Sequence, residues 1–147
     1  MTAAADAAQA LPEDVAVVDV ARAMAEGAVA AARGNSGIIL SQVLVGLADA
    51  AELLGDGPEL NFKNLVASGL RLGSLAATRA VSEPQEGTVL TLIRVAAQAA
   101  AEHESESASD LARAIADESA EALERTPDQL PVLASAGVVD AGGRGFL

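Results

Sequence analysis

The chain has 147 residues, of which 51 % are hydrophobic, so we expect one domain of ordinary size with a substantial core. Its formal net charge is −12, from 9 Lys and Arg against 21 Asp and Glu, and it has no Cys, Trp or Tyr. These values exclude a disulfide framework, thiolate chemistry and the basic, aromatic surface of nucleic-acid-binding proteins, and an anionic membrane surface would repel the chain.

The amino-terminal stretch "MTAAADAAQALPED" lacks the basic and apolar regions of a signal peptide. No uninterrupted apolar run approaches the roughly 18 residues of a membrane-spanning helix. We therefore expect a cytoplasmic location without membrane insertion. Residues 1–13 are predicted to be a flexible N-terminal segment, and residues 14–147 are predicted to form the folded domain.

Apolar residues recur at helical spacing along almost the whole chain. This pattern predicts helices at 15–33, 38–54, 62–81, 88–103 and 109–125. One short helix is predicted between Pro127 and Gly137, before a second glycine-rich stretch, "VVDAGGRGFL". Because no strand alternation is present and the connections are short, the fold class is all-α, an antiparallel up-and-down helical bundle.

Polar residues and glycines within this pattern predict local features of the helices. Asn61 is a predicted amino-terminal cap of the third helix, and Ser107 or Ser109 of the fifth. Gly69 and Gly73 interrupt the apolar face of the third helix, which indicates close packing against a neighbouring helix.

The alternating direction of the helices brings three polar segments, 34–37, 86–88 and 140–143, to one end of the bundle. Two of them lead directly into helix amino termini, whose unpaired N–H groups and partial positive charge attract phosphate. The connections at 55–61 and 104–109 lie at the opposite end and are acidic.

The stretch "ARGNSG" combines two flexible glycines, Gly34 and Gly37, with the hydrogen-bonding side chains of Asn35 and Ser36. It predicts a place where the backbone approaches an anion closely. The alternative stays open: Gly34 ends one helix, Asn35 or Ser36 caps the next, and nothing binds. The stretch is not a Walker A loop, because Lys63 is the only lysine in the chain.

Other charged residues support weaker interpretations. Glu83, Glu86 and Asp140 could reach a metal ion, but they come from separate loops without ligand spacing, and we predict no metal site. Arg33 has two open interpretations, pairing with a helix carboxyl terminus or contact with a phosphate. His103 is expected at a solvated helix end.

Three stretches, "GAVAAARGNSGIILSQ", "EPQEGTVLTLIRVAAQAA" and "TPDQLPVLASAGVVDAGGRG", resemble the DhaL-type ATP-binding domain of the dihydroxyacetone kinase L-subunit superfamily. The similarity is greatest to the amino-terminal domain of the fatty acid kinase A group. It runs from about residue 15 to residue 147. The order of "ARGNSG", "EGT" and "GVVDAGG" carries the resemblance.

The resemblance implies a barrel of eight antiparallel helices that binds ATP at one end and transfers its terminal phosphoryl group. It implies that Asn35, Ser36 and Gly37, beside Gly34, cradle the phosphates. Further nucleotide-binding positions implied by the resemblance are Gly87, Thr88, Asp140 and Gly142. The acceptor would be a fatty acid carboxylate held on a fatty-acid-binding partner protein. In the dihydroxyacetone (glycerone) kinases the same domain serves another acceptor.

The chain departs from the family at its Asp-rich loop, D-G-D-T-G-T-N, whose aspartates hold Mg²⁺ in the complete family domain. No such loop occurs here, so we expect an incomplete domain, truncated at both ends and inactive alone. The alternatives are a non-catalytic helical binding module and a structural bundle whose glycine loops are only caps. An incomplete barrel leaves apolar faces uncovered, which favours a homo-oligomer.

Overall fold

The computed structural model describes residues 2–104 and 107–147, and the regular secondary structure within these ranges is helical throughout. Residues 105 and 106 of the predicted 104–109 connection lie outside the described residues, as does Met1 of the predicted flexible segment. The described helices are α1 Thr2–Gln9, α2 Val17–Ala31, α3 Gly34–Leu54, α4 Phe62–Arg79, α5 Val89–Glu102, α6 Ala108–Glu124, α7 Thr126–Gln129, α8 Pro131–Ala136 and α9 Ala141–Phe146.

The five long predicted helices are confirmed as α2 to α6, with ends within about two residues except at the start of α3. Two predicted caps are also present. The Asn61 side chain accepts a hydrogen bond from the Asn64 N–H at 2.9 Å, and the Ser107 hydroxyl accepts one from the Asp110 N–H at 3.3 Å. The predicted all-α class is confirmed, since all the elements of the described residues are helices.

Part of the N-terminal segment that we predicted to be flexible is helical, because residues 2–9 form α1, which packs on α2. Gly27 of α2 lies so close to α1 that a Cβ atom there would come within 2.6 Å of the Ala3 carbonyl oxygen and 3.0 Å of Ala7 Cβ. Alanine has the highest helix propensity, and its small side chain allows this close approach. A segment without an apolar face of large side chains therefore still folds.

The carboxyl-terminal region also holds more helix than expected. One short helix was predicted between Pro127 and Gly137, but the region divides into α7 and α8. Leu130 precedes Pro131 and is extended (φ −128°, ψ 104°), because proline disfavours the helical conformation in the residue before it. The glycine-rich stretch that follows contains α9, which begins after Asp140.

Each helix from α1 to α6 packs against the next along the chain, and α9 packs against α5. The direction of α4 relative to α3 can be read from two glycines. Gly73 lies against Val43 and Gly69 lies against Leu47, so residue numbers fall on one helix as they rise on the other. These two helices are therefore antiparallel, as predicted.

The closest contact between α3 and α4 involves Gly46, which the sequence did not single out. A Cβ atom at Gly46 would overlap the Gly73 nitrogen and the Gly69 carbonyl oxygen. The two backbones touch because no side chain separates them. The predicted close packing at Gly69 and Gly73 is thus confirmed, and Gly46 is the partner that makes it possible.

The core surrounds α5, whose residues Leu92, Ile93, Ala96 and Ala100 are fully buried. This helix packs on α4, α6 and α9. Three clusters of buried side chains surround it, and Phe146 of α9 packs partly buried against all three. A short terminal helix therefore joins the parts of the core.

Among the described residues, α3 alone has the length and apolar character of a membrane-spanning helix, with a mean hydropathy of 1.6 over its most apolar 18 residues. It carries Asp49 and Glu52, and it packs between α2 and α4. Of that 18-residue window, 39 % is buried inside the bundle. The helix α3 thus has the apolar composition of a membrane-spanning helix, although Ser41 and Gln42 interrupt its apolar run.

Candidate functional site

Three helix starts meet around one cavity of about 210 Å³, those of α3, α5 and α9. The segment 81–85 between α4 and α5 closes a further side. The cavity is lined by Asn35, Ser36, Ile39, Val81, Glu83, Gln85, Thr88, Val89, Leu90, Asp140 and Gly142. The structure therefore brings together five of the eight residues predicted for the nucleotide site, from all three predicted segments.

The stretch "GNSG" is the first turn of α3 rather than a loop before it. Arg33 is extended (φ −136°, ψ 133°), and Gly34 takes a left-handed φ of +63°, which glycine adopts without strain. This reversal starts the helix four residues earlier than predicted. Asn35 and Ser36 therefore lie exposed in the first turn, beside the cavity.

The interpretation of this stretch as a pair of caps is wrong in its details. Arg33 occupies the cap position of α3, and no side chain there accepts a hydrogen bond from the first turn. Neither Asn35 nor Ser36 is the cap, and the carboxyl-terminal cap of α2 is Ala32 rather than Gly34. The first N–H groups of a helix have no partner within the helix, so here they are donors for a ligand or water.

The start of α5 is capped by Thr88, as its hydroxyl oxygen accepts a hydrogen bond from the Leu90 N–H at 3.4 Å. The same hydroxyl donates to the Gln85 carbonyl oxygen at 2.8 Å. These bonds hold Thr88 against the segment 81–85, so the two form a continuous wall of the cavity.

Glu86 does not line the cavity and belongs to a hydrogen-bond network of its own. Its carboxylate accepts hydrogen bonds from the Thr91 hydroxyl at 2.7 Å and from the Arg94 guanidinium at 2.9 Å. The hydrogen bond from Thr91 is the main cause that lowers the pKa of the Glu86 carboxyl below its ordinary value, and Arg94 adds to it while partial burial opposes it. Glu86 therefore links the segment before α5 to Thr91 and Arg94 of that helix through its Oε2 atom.

Gly87 belongs to the frame of the site rather than to its lining. It has a left-handed φ of +77°, and its N–H donates to the Thr91 hydroxyl oxygen at 3.0 Å. A Cβ atom at Gly87 would lie 2.9 Å from the Thr126 carbonyl oxygen. Glycine is needed there for its conformation and for the close approach of the segment 126–130.

Asp140 forms the third wall of the cavity. Its carboxylate caps α9 by accepting a hydrogen bond from the Gly143 N–H at 2.6 Å, and its own N–H donates to the Thr126 hydroxyl at 3.1 Å. Gly142 lies beside this carboxylate, where a Cβ atom would be 3.2 Å from Asp140 Oδ2. A side chain at Gly142 would therefore crowd the carboxylate that caps α9.

Two predicted residues, Gly34 and Gly37, are near the cavity without lining it. Gly34 turns the chain into α3, as described above. Gly37 lies on the other face of α3, where it lines a second hollow with Ala32 and Leu40. Of the first predicted segment, Asn35 and Ser36 are therefore the residues that line the cavity.

Arg33 folds back on the helix that precedes it. Its guanidinium donates to the Ala32 carbonyl oxygen at 2.8 Å and to the Ala30 carbonyl oxygen at 3.4 Å. These carbonyls are at the carboxyl end of α2, where a cation also interacts favourably with the helix dipole. Of the two interpretations left open by the sequence, the structure favours pairing with the helix end.

The charges around the cavity decide which ligand it suits. Among the described residues that line it, none is basic, and Glu83 and Asp140 are acidic. Within 2–104 and 107–147, no three acidic or histidine side chains converge as a metal site would require. These residues do not fit Mg²⁺ by themselves, whereas the uncapped N–H groups in the first turn of α3 are donors of the kind that bind anions.

Comparison with known proteins gives one family and a set of relatives. A model of the DAK2 domain matches residues 1–147, including the segment that we had set apart from the domain. Protein YloV of Bacillus subtilis strain 168 is 41 % identical over 131 residues, which are 87 % of this chain and 23 % of YloV. An uncharacterized protein of Staphylococcus aureus strain USA300 is 40 % identical over 131 residues, which are 88 % of this chain and 23 % of that protein.

The chain thus spans 23 % of the length of these curated relatives. The family match covers every residue of the chain, and the helical fold is the one that the family resemblance implied. The chain belongs to the DAK2 domain family, whose helical domains are dihydroxyacetone-kinase-like and generally bind ATP.

Proposed function

We propose that the cavity holds the phosphate groups of ATP and that the chain is the ATP-binding part of a phosphotransferase. One observation carries the proposal: the uncapped first turn of α3 opens into the same cavity as the starts of α5 and α9. Membership of the DAK2 family supports it. The exposed Asn35 and Ser36 side chains then add donors to the N–H groups of the turn.

We propose a fatty acid carboxylate, held on a separate fatty-acid-binding protein, as the acceptor. A carboxylate oxygen would bond to the γ-phosphorus of ATP while the bond from that phosphorus to the β-phosphate oxygen breaks, which gives an acyl phosphate and ADP. The order of the "ARGNSG", "EGT" and "GVVDAGG" stretches supports this assignment. Dihydroxyacetone is the second candidate acceptor, since the family model is named for that kinase class.

The residues present would bind and orient ATP rather than neutralise its charge. The N–H groups of α3 and the Ser36 hydroxyl would position the phosphates, and the apolar side chains of Ile39 and Val89 would exclude water. Mg²⁺, when bound, supplies the charge neutralisation that phosphoryl transfer requires. Because the lining has two acids and no base, we expect ATP binding by this chain to be weak.

A pair of variants tests the site. Ser36→Asp places a negative charge in the first turn of α3, where it is compatible with the helix dipole but repels phosphate. Ala108→Asp makes the same change of charge in the exposed first turn of α6. By isothermal titration calorimetry we expect Ser36→Asp to weaken ATP binding about tenfold or more, and Ala108→Asp to leave it within about twofold.

Equal ATP affinity in the two variants would contradict the proposed site, because net charge alone would then account for any change. Thermal unfolding of both variants controls for folding. Since an acidic residue in a first turn stabilises a helix by about 0.3 to 1 kcal/mol, neither variant should lose stability.

A phosphoryl-transfer assay tests the reaction and the acceptor. We expect this chain to transfer no phosphate at a useful rate to a fatty acid bound on a fatty-acid-binding protein, with or without Mg²⁺. A chain extended by the family's Asp-rich loop is expected to be active, since clustered carboxylates would hold Mg²⁺ against the phosphates. Equal activity of the two chains would show that the metal is held by other residues.

The same assay separates the alternatives. Activity of the extended chain on dihydroxyacetone but not on the fatty acid would favour the glycerone kinase class. ATP binding without transfer to either acceptor would favour a non-catalytic binding module. If the wild-type chain binds no ATP in the calorimeter, with or without Mg²⁺, the structural-bundle alternative is left and the proposed function is wrong.

A further inference from the structure

Thr126 lies where α6 passes into α7, and no sequence pattern singled it out. Its side chain is completely buried, at 0 % exposure, although it carries a polar hydroxyl. That hydroxyl donates to the Leu123 carbonyl oxygen at 2.7 Å and accepts from the Asp140 N–H at 3.1 Å. One side chain therefore links the end of α6 to the start of α9.

A buried hydroxyl is costly to desolvate unless both its donor and its acceptor capacity are used, as they are here. Valine has nearly the same shape and would avoid that cost. The hydroxyl is therefore needed for the bonds that it makes rather than for packing, and its acceptor bond fixes the residue that opens the third wall of the cavity, Asp140.

The backbone of Thr126 reaches a second wall. If Gly87 carried a Cβ atom, the nearest atom to it would be the Thr126 carbonyl oxygen, at 2.9 Å. Gly87 directly precedes Thr88, the cap of α5. Thr126 thus touches the segments that carry two of the three helix starts, although it does not line the cavity.

We propose that Thr126 is a positioning residue for the ATP site. It holds Asp140 and the 86–88 segment at the spacing that the phosphates require. The proposal rests on the proposed function in one respect, that the ligand of the cavity is ATP. The bracing itself does not depend on the ligand and can be measured without it.

Three variants separate the hydroxyl from the packing. Thr126→Val keeps the shape and removes both hydrogen bonds, and Thr126→Ser keeps the hydroxyl. Ser119→Ala is the matched control, because it removes a buried hydroxyl of α6 that has no hydrogen-bond partner among the described residues. In the ligand-free chain, amide hydrogen exchange of Asp140 and Gly143 reports on the start of α9.

We expect Thr126→Val to speed this exchange and to weaken ATP binding, each about tenfold, which is the effect of losing the one bond that reaches Asp140. Thr126→Ser and Ser119→Ala are expected to remain within about twofold of the wild type in both measurements. Should Thr126→Val fail to fold, Thr126→Cys replaces it, since a thiol is a weaker donor and acceptor, and an intermediate loss is expected.

The outcomes distinguish the two proposals. If the wild type binds ATP and Thr126→Val binds it equally well, the positioning role is wrong and the proposed function stands. If Thr126→Ser behaves as Thr126→Val does, packing rather than the hydroxyl is responsible and the inference is overturned. If the wild type binds no ATP but Thr126→Val still speeds exchange at Asp140, the bracing is real and the proposed function is wrong.

Discussion

At the scale of single residues, two threonines that the sequence did not single out organise the polar end of the bundle. Thr91 is almost fully buried, accepts from the Gly87 N–H and donates to Glu86. Thr126 is fully buried, accepts from the Asp140 N–H and donates to the Leu123 carbonyl oxygen at the end of α6. Residues predicted to touch the ligand are thus held in place by buried hydroxyls, which a pattern of exposed polar residues cannot reveal.

The Glu86 network predicts a pH dependence of stability. Because the pKa of the Glu86 carboxyl is lowered in the folded chain, its contribution is present at pH 7 and is lost as the pH falls through that lowered pKa. We expect Glu86→Gln to reduce the free energy of unfolding at pH 7 by up to about 1 kcal/mol, a small value because the side chain is 63 % exposed.

Urea unfolding at pH 7 and at about pH 3, below the ordinary carboxyl pKa of about 4.3, measures this effect. The difference between the wild type and Glu86→Gln should shrink at the lower pH. Glu13→Gln makes the same change of charge in an exposed loop and should show no such convergence. A difference that persists unchanged at the lower pH would contradict the role assigned to the carboxylate.

At the scale of the elements, close backbone contact joins α3 to α4, and α3 in turn carries the first wall of the cavity. The contact depends on three glycines, Gly46 on α3 and Gly69 and Gly73 on α4. Glycine costs about 1 kcal/mol of helix propensity relative to alanine, so its presence inside two long helices is explained by packing rather than by local preference.

Gly46→Ala should therefore destabilise the chain in spite of its better helix propensity. Its Cβ atom would overlap backbone atoms of α4, which cannot move as a flexible side chain would, and overpacking of this kind costs about 1 to 3 kcal/mol. Urea unfolding measures the loss. Gly145→Ala is the matched control, because its Cβ position faces open space, and a comparable loss there would refute the packing argument.

At the scale of the whole molecule, α5 is the central helix and Phe146 closes the core around it. Phe146 contacts the three core clusters and lies on α9, the helix that begins at the cavity.

A separate apolar groove of about 280 Å³ lies between α2 and α3, with Met24, Leu44 and Leu47 among its lining. Self-association through such faces stays a prediction, which light scattering across a dilution series tests.

Phe146→Ala is expected to lower the free energy of unfolding by about 2 to 3 kcal/mol, because it removes a partly buried ring from all three clusters. Phe62→Ala deletes the same ring from a position that is 53 % exposed, and should cost less than about 1 kcal/mol. Thermal and urea unfolding compare the two variants. Equal losses would mean that α9 does not complete the core.

Much of the fold followed from the sequence by itself, because it depends on local properties. The 3.6-residue period of apolar side chains predicted α2 to α6, and Asn61 and Ser107 predicted the caps. The alternation of helix directions predicted that the segments around Asn35, Thr88 and Asp140 meet at one end, and all three residues line one cavity. Whether that cavity binds nucleotide is a prediction of the sequence that the geometry supports.

Other features were decided only by tertiary contacts. Three features depend on residues that are 10 to 30 positions away in the sequence or further. They are the helix of residues 2–9, the approach of Gly46 to α4 and the burial of Thr126. Local propensity does not register such partners, since it sums over neighbours along the chain. The first turn of α3 was missed for a different reason: two glycines argue locally for a loop, whereas the extended Arg33 and the left-handed Gly34 turn the chain directly into the helix.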